Sequence, residues 1–172
     1  LGGNQSAIDE PQAIQMIRYA IDHGVNYLDT AYRYHAGQSE RVVGKALKDG
    51  YREKIRLATK MPVRMVDKAE DFDRIFNEQL ERLQVKNLDF YLFHGLRKEA
   101  WPKVRDLGIL KWAEKKMSQG YFNHLGFSFH DEYDVFKGIL DDYGGWTFCQ
   151  LQYNLIDVNF QAGRRGVELA AS

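Results

Sequence analysis

The chain has 172 residues, 44% of them hydrophobic and 13% aromatic, with 24 lysines plus arginines against 24 aspartates plus glutamates. A formal net charge of zero gives no footing for nucleic acid or an anionic membrane surface as partner. No apolar run approaches the roughly 20 residues a membrane helix needs, and the length suits one domain, read as residues 1–172.

In chain order, residues 1–8 read as a loop on the turn chemistry of Gly2-Gly3-Asn4. The opening LGGNQSAIDE has no basic region ahead of an apolar core, so no signal peptide is expected. Asp9 or Glu10 ahead of Pro11 starts a helix that carries Ile14, Ile17 and Ile21 and closes at Gly24. Val25–Leu28 is the first visible strand. Asp29 stands where it gives way to a loop, and Tyr34 follows five residues later. Ser39 is the expected N-cap of a helix with Val42, Val43, Ala46 and Leu47. Ile55–Lys60 is a strand. Asp67 with Glu70 resembles a capping box, opening a helix with Phe72, Ile75, Phe76, Leu80 and Leu83 on one face. Leu88–His94 is a near-continuous apolar strand. One helix is expected from Pro102 to Gly120, with Val104, Leu107, Leu110 and Met117. His124–Phe129 is a strand, Asp131 caps a helix with Val135, Phe136, Ile139 and Leu140, and Trp146–Tyr153 is a strand. A last helix begins near Gln161. The one cysteine, Cys149, forms no internal disulfide, so a reducing, cytoplasmic setting is the default expectation. No His/Asp/Glu spacing suggests a metal site.

Apolar strands alternating with helices argue a parallel sheet covered on both faces. The alternation does not separate a barrel from an open doubly wound sheet. The absence of a G-x-G-x-x-G fingerprint after any strand lowers the open dinucleotide fold.

The strand ends carry the chemistry. In order they present Asp29, Lys60, His94, Ser128 and Gln150: a carboxylate, an ammonium, an imidazole, a hydroxyl and an amide. In a parallel sheet these ends share one side, and in a (β/α)₈ barrel that side is the catalytic face. Strand ends are also where chains meet water, so each residue alone says little. Together they suit one task. A lysine beside a tyrosine stabilises phenolate, an aspartate keeps the lysine charged and placed, and a histidine orients an oxygen. A phenol so held can donate a proton to a carbonyl oxygen.

The stretch GVNYLDTAYRYHAGQSERVVGKAL, followed by LATK, LDFYLFH, LGFSFH and CQLQYN, resembles the aldo-keto reductases over about residues 9 to 171. The resemblance implies a (β/α)₈ barrel and NADPH, with NADH possible, reducing a small-molecule carbonyl substrate. It implies that Tyr34 is the general acid, Lys60 and Asp29 its tuning pair and His94 the orienting group. Ser128 and Gln150 would hydrogen-bond the nicotinamide carboxamide. Tyr32, at the wrong spacing from Asp29, is read as packing. Phe129 stands where that family usually has asparagine, and the adjacent His130 is read as an ordinary loop residue. GFSFHDEYDVF and QLQYNLIDVNFQAGRRG look closest to a bacterial and archaeal branch whose members often carry a C-terminal iron–sulfur segment, which lone Cys149 cannot supply.

A barrel of this type takes about 250 residues. The expected barrel is therefore incomplete: its second to sixth strands are present, and the first, seventh and eighth are missing. The sequence is read as part of a longer chain. Trp101 is a candidate pocket residue, and Trp112 and Trp146 are read as packing. Two other readings stand beside the reductase. One is a non-catalytic, cofactor-sensing regulatory protein on the same scaffold. The other is an unrelated barrel using Asp29 and His94 in hydrolysis.

Overall fold

Each apolar run bounded by turn residues becomes a strand, and among the described residues five strands pair in chain order. The computed structural model describes residues 8–172. Helix α1 (Glu10–Asp22) leads to β1 (Tyr27–Asp29), a 3-10 turn (Tyr34–Gly37) and α2 (Ser39–Ala46). Then come β2 (Arg56–Met61), α3 (Glu70–Leu83), β3 (Leu88–Leu96), α4 (Ala100–Asp106), α5 (Ile109–Ser118), β4 (Phe122–Phe129), α6 (Tyr133–Asp142), β5 (Phe148–Leu151) and α7 (Gly163–Ala171). The sheet order is β1-β2-β3-β4-β5, and all four pairings are parallel. The sheet curls into a half-barrel, as expected for an incomplete (β/α)₈ fold. The loop expected over residues 1–8, and with it any trace of a first barrel strand at Leu1, lies outside the described residues save for Ile8.

The period-two alternation of strand side chains gives the sheet two different faces. Leu57, Tyr91, Phe93, Leu125, Phe127 and Phe129 are fully buried in one core with Phe72, Ile75, Phe76, Phe136 and Ile139 of α3 and α6. Edge-on ring contacts tie the layers, Phe76 to Tyr91 at 5.1 Å for example. The opposite, concave face carries Tyr27, Phe90, His124 and Phe148. Phe90 makes ring contacts with all three, at 5.4, 4.6 and 5.1 Å. This face is far less covered: Tyr27 is 40% exposed and His124 is exposed.

Four local expectations are corrected. The single helix expected over 102–120 is two, α4 and α5, separated where Gly108 takes a left-handed φ of 87°. Asp67 does not cap α3; Asp71 reaches back instead and accepts from the backbone N–H groups of Asp67 (2.9 Å) and Lys68 (3.1 Å). Ser39 is the first residue of α2 rather than its cap, and its hydroxyl bonds the Thr30 hydroxyl at 2.8 Å. Asp131 makes no cap for α6; it accepts from the Lys98 N–H across the loop after β3. The Ser39 and Asp131 side chains, which could serve their own helices, serve tertiary contacts instead. The N-terminal reading holds: Asp9 caps α1 by accepting from Gln12 N–H at 3.1 Å.

Candidate active site

Parallel pairing brings the carboxyl ends of all five strands to one rim. Asp29 is the last residue of β1. Lys60, Ser128 and Gln150 are each the last but one of β2, β4 and β5, and His94 lies two residues short of the end of β3. Ser128 and Gln150 are direct register partners.

Lys60 is the centre of the group. Its side chain is 1% exposed, and its ammonium is placed by three oxygens. It pairs with Asp29 Oδ2, donates to the Thr30 carbonyl at 3.0 Å and donates to the Tyr34 hydroxyl at 3.4 Å. All three ammonium protons therefore have acceptors. Tyr34 opens the 3-10 turn after β1, its N–H bonded to the Ala31 carbonyl at 3.1 Å, and its side chain stays 40% exposed at the rim. The next two residues, His35 and Ala36, hold left-handed φ of 50° and 52°. This sharp reversal, sparsely populated for residues with a Cβ, aims the chain back into α2. His94 meets the Tyr34 ring edge-on, with centroids 5.7 Å apart. Burial, with Lys60 close by, pushes the His94 imidazole down to about 4, so it is neutral at physiological pH.

Asp29, Tyr34, Lys60 and His94 thus converge. Ser128 is buried and accepts from the Gly95 N–H at 2.8 Å, which leaves its own hydroxyl proton as a donor. Gln150 is exposed on the concave side of β5. A hydroxyl and an amide on paired strands suit a ligand that itself carries an amide. Asp29 Oδ1 is a buried acceptor with no partner among the described residues. An unmatched acceptor costs about 1–3 kcal/mol, which a ligand donor seated there would recover.

Other readings sort cleanly. The Tyr32 hydroxyl donates to Glu78 at 2.5 Å and its ring lies under Arg82, so it faces α3 and not the rim. Trp101 is corrected: it is 4% exposed, its indole N–H donates to Asp142, and it packs near Trp146 on the helix side. Trp112 packs on Phe72 and Phe76.

The family model described as the Aldo/keto reductase family matches residues 1–166. The chain belongs to the aldo/keto reductase family. Among relatives, it is 37% identical over 112 residues to aldo-keto reductase YhdN of Bacillus subtilis (strain 168), covering 59% of this chain and 32% of that protein. It is 33% identical over 135 residues to probable aldo-keto reductase 1 of Glycine max, covering 74% and 38%. A crystal structure of an aldo-keto reductase from Klebsiella pneumoniae in complex with NADPH superposes with a TM-score of 0.71 at 26% identity, covering 87% of this chain and 51% of that one. The matched stretches thus span about a third of each of the two relatives and half of that structure.

Two groups in this aldo/keto reductase chain escaped sequence reasoning. The first is a buried network behind β2. Glu40, 0% exposed, accepts from Thr59 Oγ1 (2.6 Å) and Gln79 Nε2 (2.9 Å) and pairs with Arg82 (3.4 Å). Gln79 also donates to the Lys60 carbonyl at 3.0 Å, and Arg82 to the Tyr32 carbonyl at 3.3 Å. The backbone of Lys60 and the loop carrying Tyr34 are so fixed to one carboxylate. The second is a cluster of arginines around His94. Charged residues at helical or loop spacing read as solvated surface, so neither group left a signal in the sequence beyond the Ser–Glu start of α2.

Proposed function

We propose that this chain provides the proton-transfer side of an NADPH-dependent carbonyl reductase. NADPH supplies the hydride when bound; Ser128 and Gln150 would hold its carboxamide, and the orphaned Asp29 Oδ1 offers a further acceptor. The observation that carries this reading is the Lys60 ammonium, pinned by Asp29 and the Thr30 carbonyl within 3.4 Å of the Tyr34 hydroxyl.

The residue roles follow from charge and geometry. Tyr34 is the general acid: on a residue 40% exposed at the rim, its hydroxyl can reach a substrate oxygen and give it a proton as negative charge develops there. Lys60 stabilises the phenolate that remains. Asp29 pairs with the ammonium and aims it, since a buried charge without a partner is costly. His94, being neutral, offers one ring N–H to the carbonyl oxygen and brings no second full charge beside Lys60.

NADPH oxidation by the intact protein with a panel of aldehydes, quinones and sugars tests the function, and turnover of at least one carbonyl class is expected. NADPH binding without turnover across the panel would instead favour the regulatory reading. That reading has no use for a buried lysine held against a rim tyrosine.

A further inference from the structure

We propose that the substrate carries an anionic head group, a carboxylate or phosphate, bound by Arg33, Arg64 and Arg97 at the mouth of the site. The inference rests on the reductase reading and adds the substrate class to it. A pocket of about 210 Å³ opens beside His94, lined by these three arginines together with His130 and Met65. No aspartate or glutamate lines it.

Pairing and placement together set these three arginines apart. Arg18, Arg52, Arg56, Arg74, Arg82 and Arg105 each make an ion pair with a carboxylate. Among the described residues Arg33, Arg64 and Arg97 make none. Arg41, Arg164 and Arg165 make none either, but only Arg33, Arg64 and Arg97 stand together around one cavity whose lining has no carboxylate. They come from separate places in the chain: the turn after β1, the segment after β2 and the end of β3. Folding has therefore gathered three unpaired cations where they repel one another. Arg97 adds a second observation: its Nε is buried and without a hydrogen-bond partner. Guanidinium forks match carboxylate and phosphate oxygens in bidentate geometry, so an anion would satisfy this donor and relieve the repulsion. The cavity opens over the ends of β1 to β3 and reaches His130 just after β4, whereas neither Ser128 nor Gln150 lines it. This places the anion site on the substrate side of His94.

The test compares matched aldehydes in the intact protein with NADPH: 4-carboxybenzaldehyde against methyl 4-formylbenzoate, and glyceraldehyde 3-phosphate against glyceraldehyde. At least one anionic member should have a kcat/KM higher than its neutral partner by about 10-fold or more, and high salt should shrink the ratio. The pair with the larger ratio identifies carboxylate or phosphate as the head group. In Arg64→Gln/Arg97→Gln the ratio should fall towards 1. Ratios near 1 in the parent, or unchanged in the variant, overturn the proposal. So does a variant in which the Kd for NADPH weakens as much as that ratio falls, because the cluster would then grip the cofactor's phosphates. If neither aldehyde of either pair is turned over, the reductase reading fails first. Calorimetric titration of 4-carboxybenzyl alcohol, its methyl ester and inorganic phosphate with NADP⁺ present then decides the anion site. Binding of the carboxylate or phosphate that the variant loses sustains it, and equal binding by parent and variant contradicts it.

Discussion

Lys60 shows at the residue scale how function and stability part. An ammonium 1% exposed is costly to bury, and its pairing with Asp29 offsets that cost only while both partners remain. Asp29→Ala should therefore lose about 3–5 kcal/mol of stability, read by denaturant unfolding, because it strands the charge. The double change Asp29→Asn/Lys60→Met should stay within about 2 kcal/mol of the parent, since losing a buried ion pair is offset against orphaning the Thr30 carbonyl. That double variant should have no reductase activity, which would mark the pair as kept for chemistry. His94 gives a pH signature. Its folded pKa, about 4, lies below the ordinary 6.5, so the unfolded chain binds its proton first. Stability contributed by neutral His94 is complete above about 6.5 and is lost as pH falls towards 4, with a slope of at most about 1.4 kcal/mol per pH unit. Unfolding followed between pH 4 and 7 should show this slope in the parent and a flatter one in His94→Gln.

The elements are held to one another by features that sequence periodicity does not display. Helices α2 and α3 touch at Gly44, where a Cβ would lie 2.6 Å from the Leu83 carbonyl oxygen and 2.7 Å from that of Arg82. Both obstacles are backbone, so Gly44→Ala must push the helices apart and should cost about 1–3 kcal/mol in thermal or denaturant unfolding. Glu40→Ala should cost about 3–5 kcal/mol, because it strands Thr59, Gln79 and Arg82 behind β2. The apolar runs that became β2, β3 and β4 were legible because each is bounded by turn residues and feeds one buried face. The chain breaks were less so. Gly108 sits inside a pattern that still reads as helix, and its left-handed φ becomes visible only when α4 and α5 are placed. Likewise Asp67 and Asp131 have the right chemistry for caps. Asp71 outcompetes Asp67 for the N–H groups at the start of α3, and Asp131 is drawn off by the Lys98 N–H from across the loop after β3, choices that the residue types alone do not reveal.

At the scale of the molecule, five strands bring the expected acid, its lysine–aspartate support and the histidine to one rim, while the concave face stays open. That convergence was legible in the sequence, since parallel strands put their carboxyl ends together whatever the loops do. The arginine-lined mouth was not, because its members sit on three separate segments and only folding gathers them. The open face has a physical consequence. Tyr27, Phe90 and Phe148 form an aromatic patch beside the edge strands β1 and β5, and Leu155 and Ile156 are 96% and 90% exposed. The 172-residue chain on its own should therefore self-associate, giving a concentration-dependent mass by sedimentation and binding hydrophobic dyes. The proposed proton transfer turns on the Tyr34 phenol. Steady-state NADPH oxidation by the intact protein and by Tyr34→Phe, with a carbonyl that the parent reduces, removes one hydroxyl and leaves the ring contact with His94. A fall in kcat of about 10²–10⁴-fold is predicted, with NADPH binding retained; equal rates in the two proteins would contradict the assignment of Tyr34 as the acid.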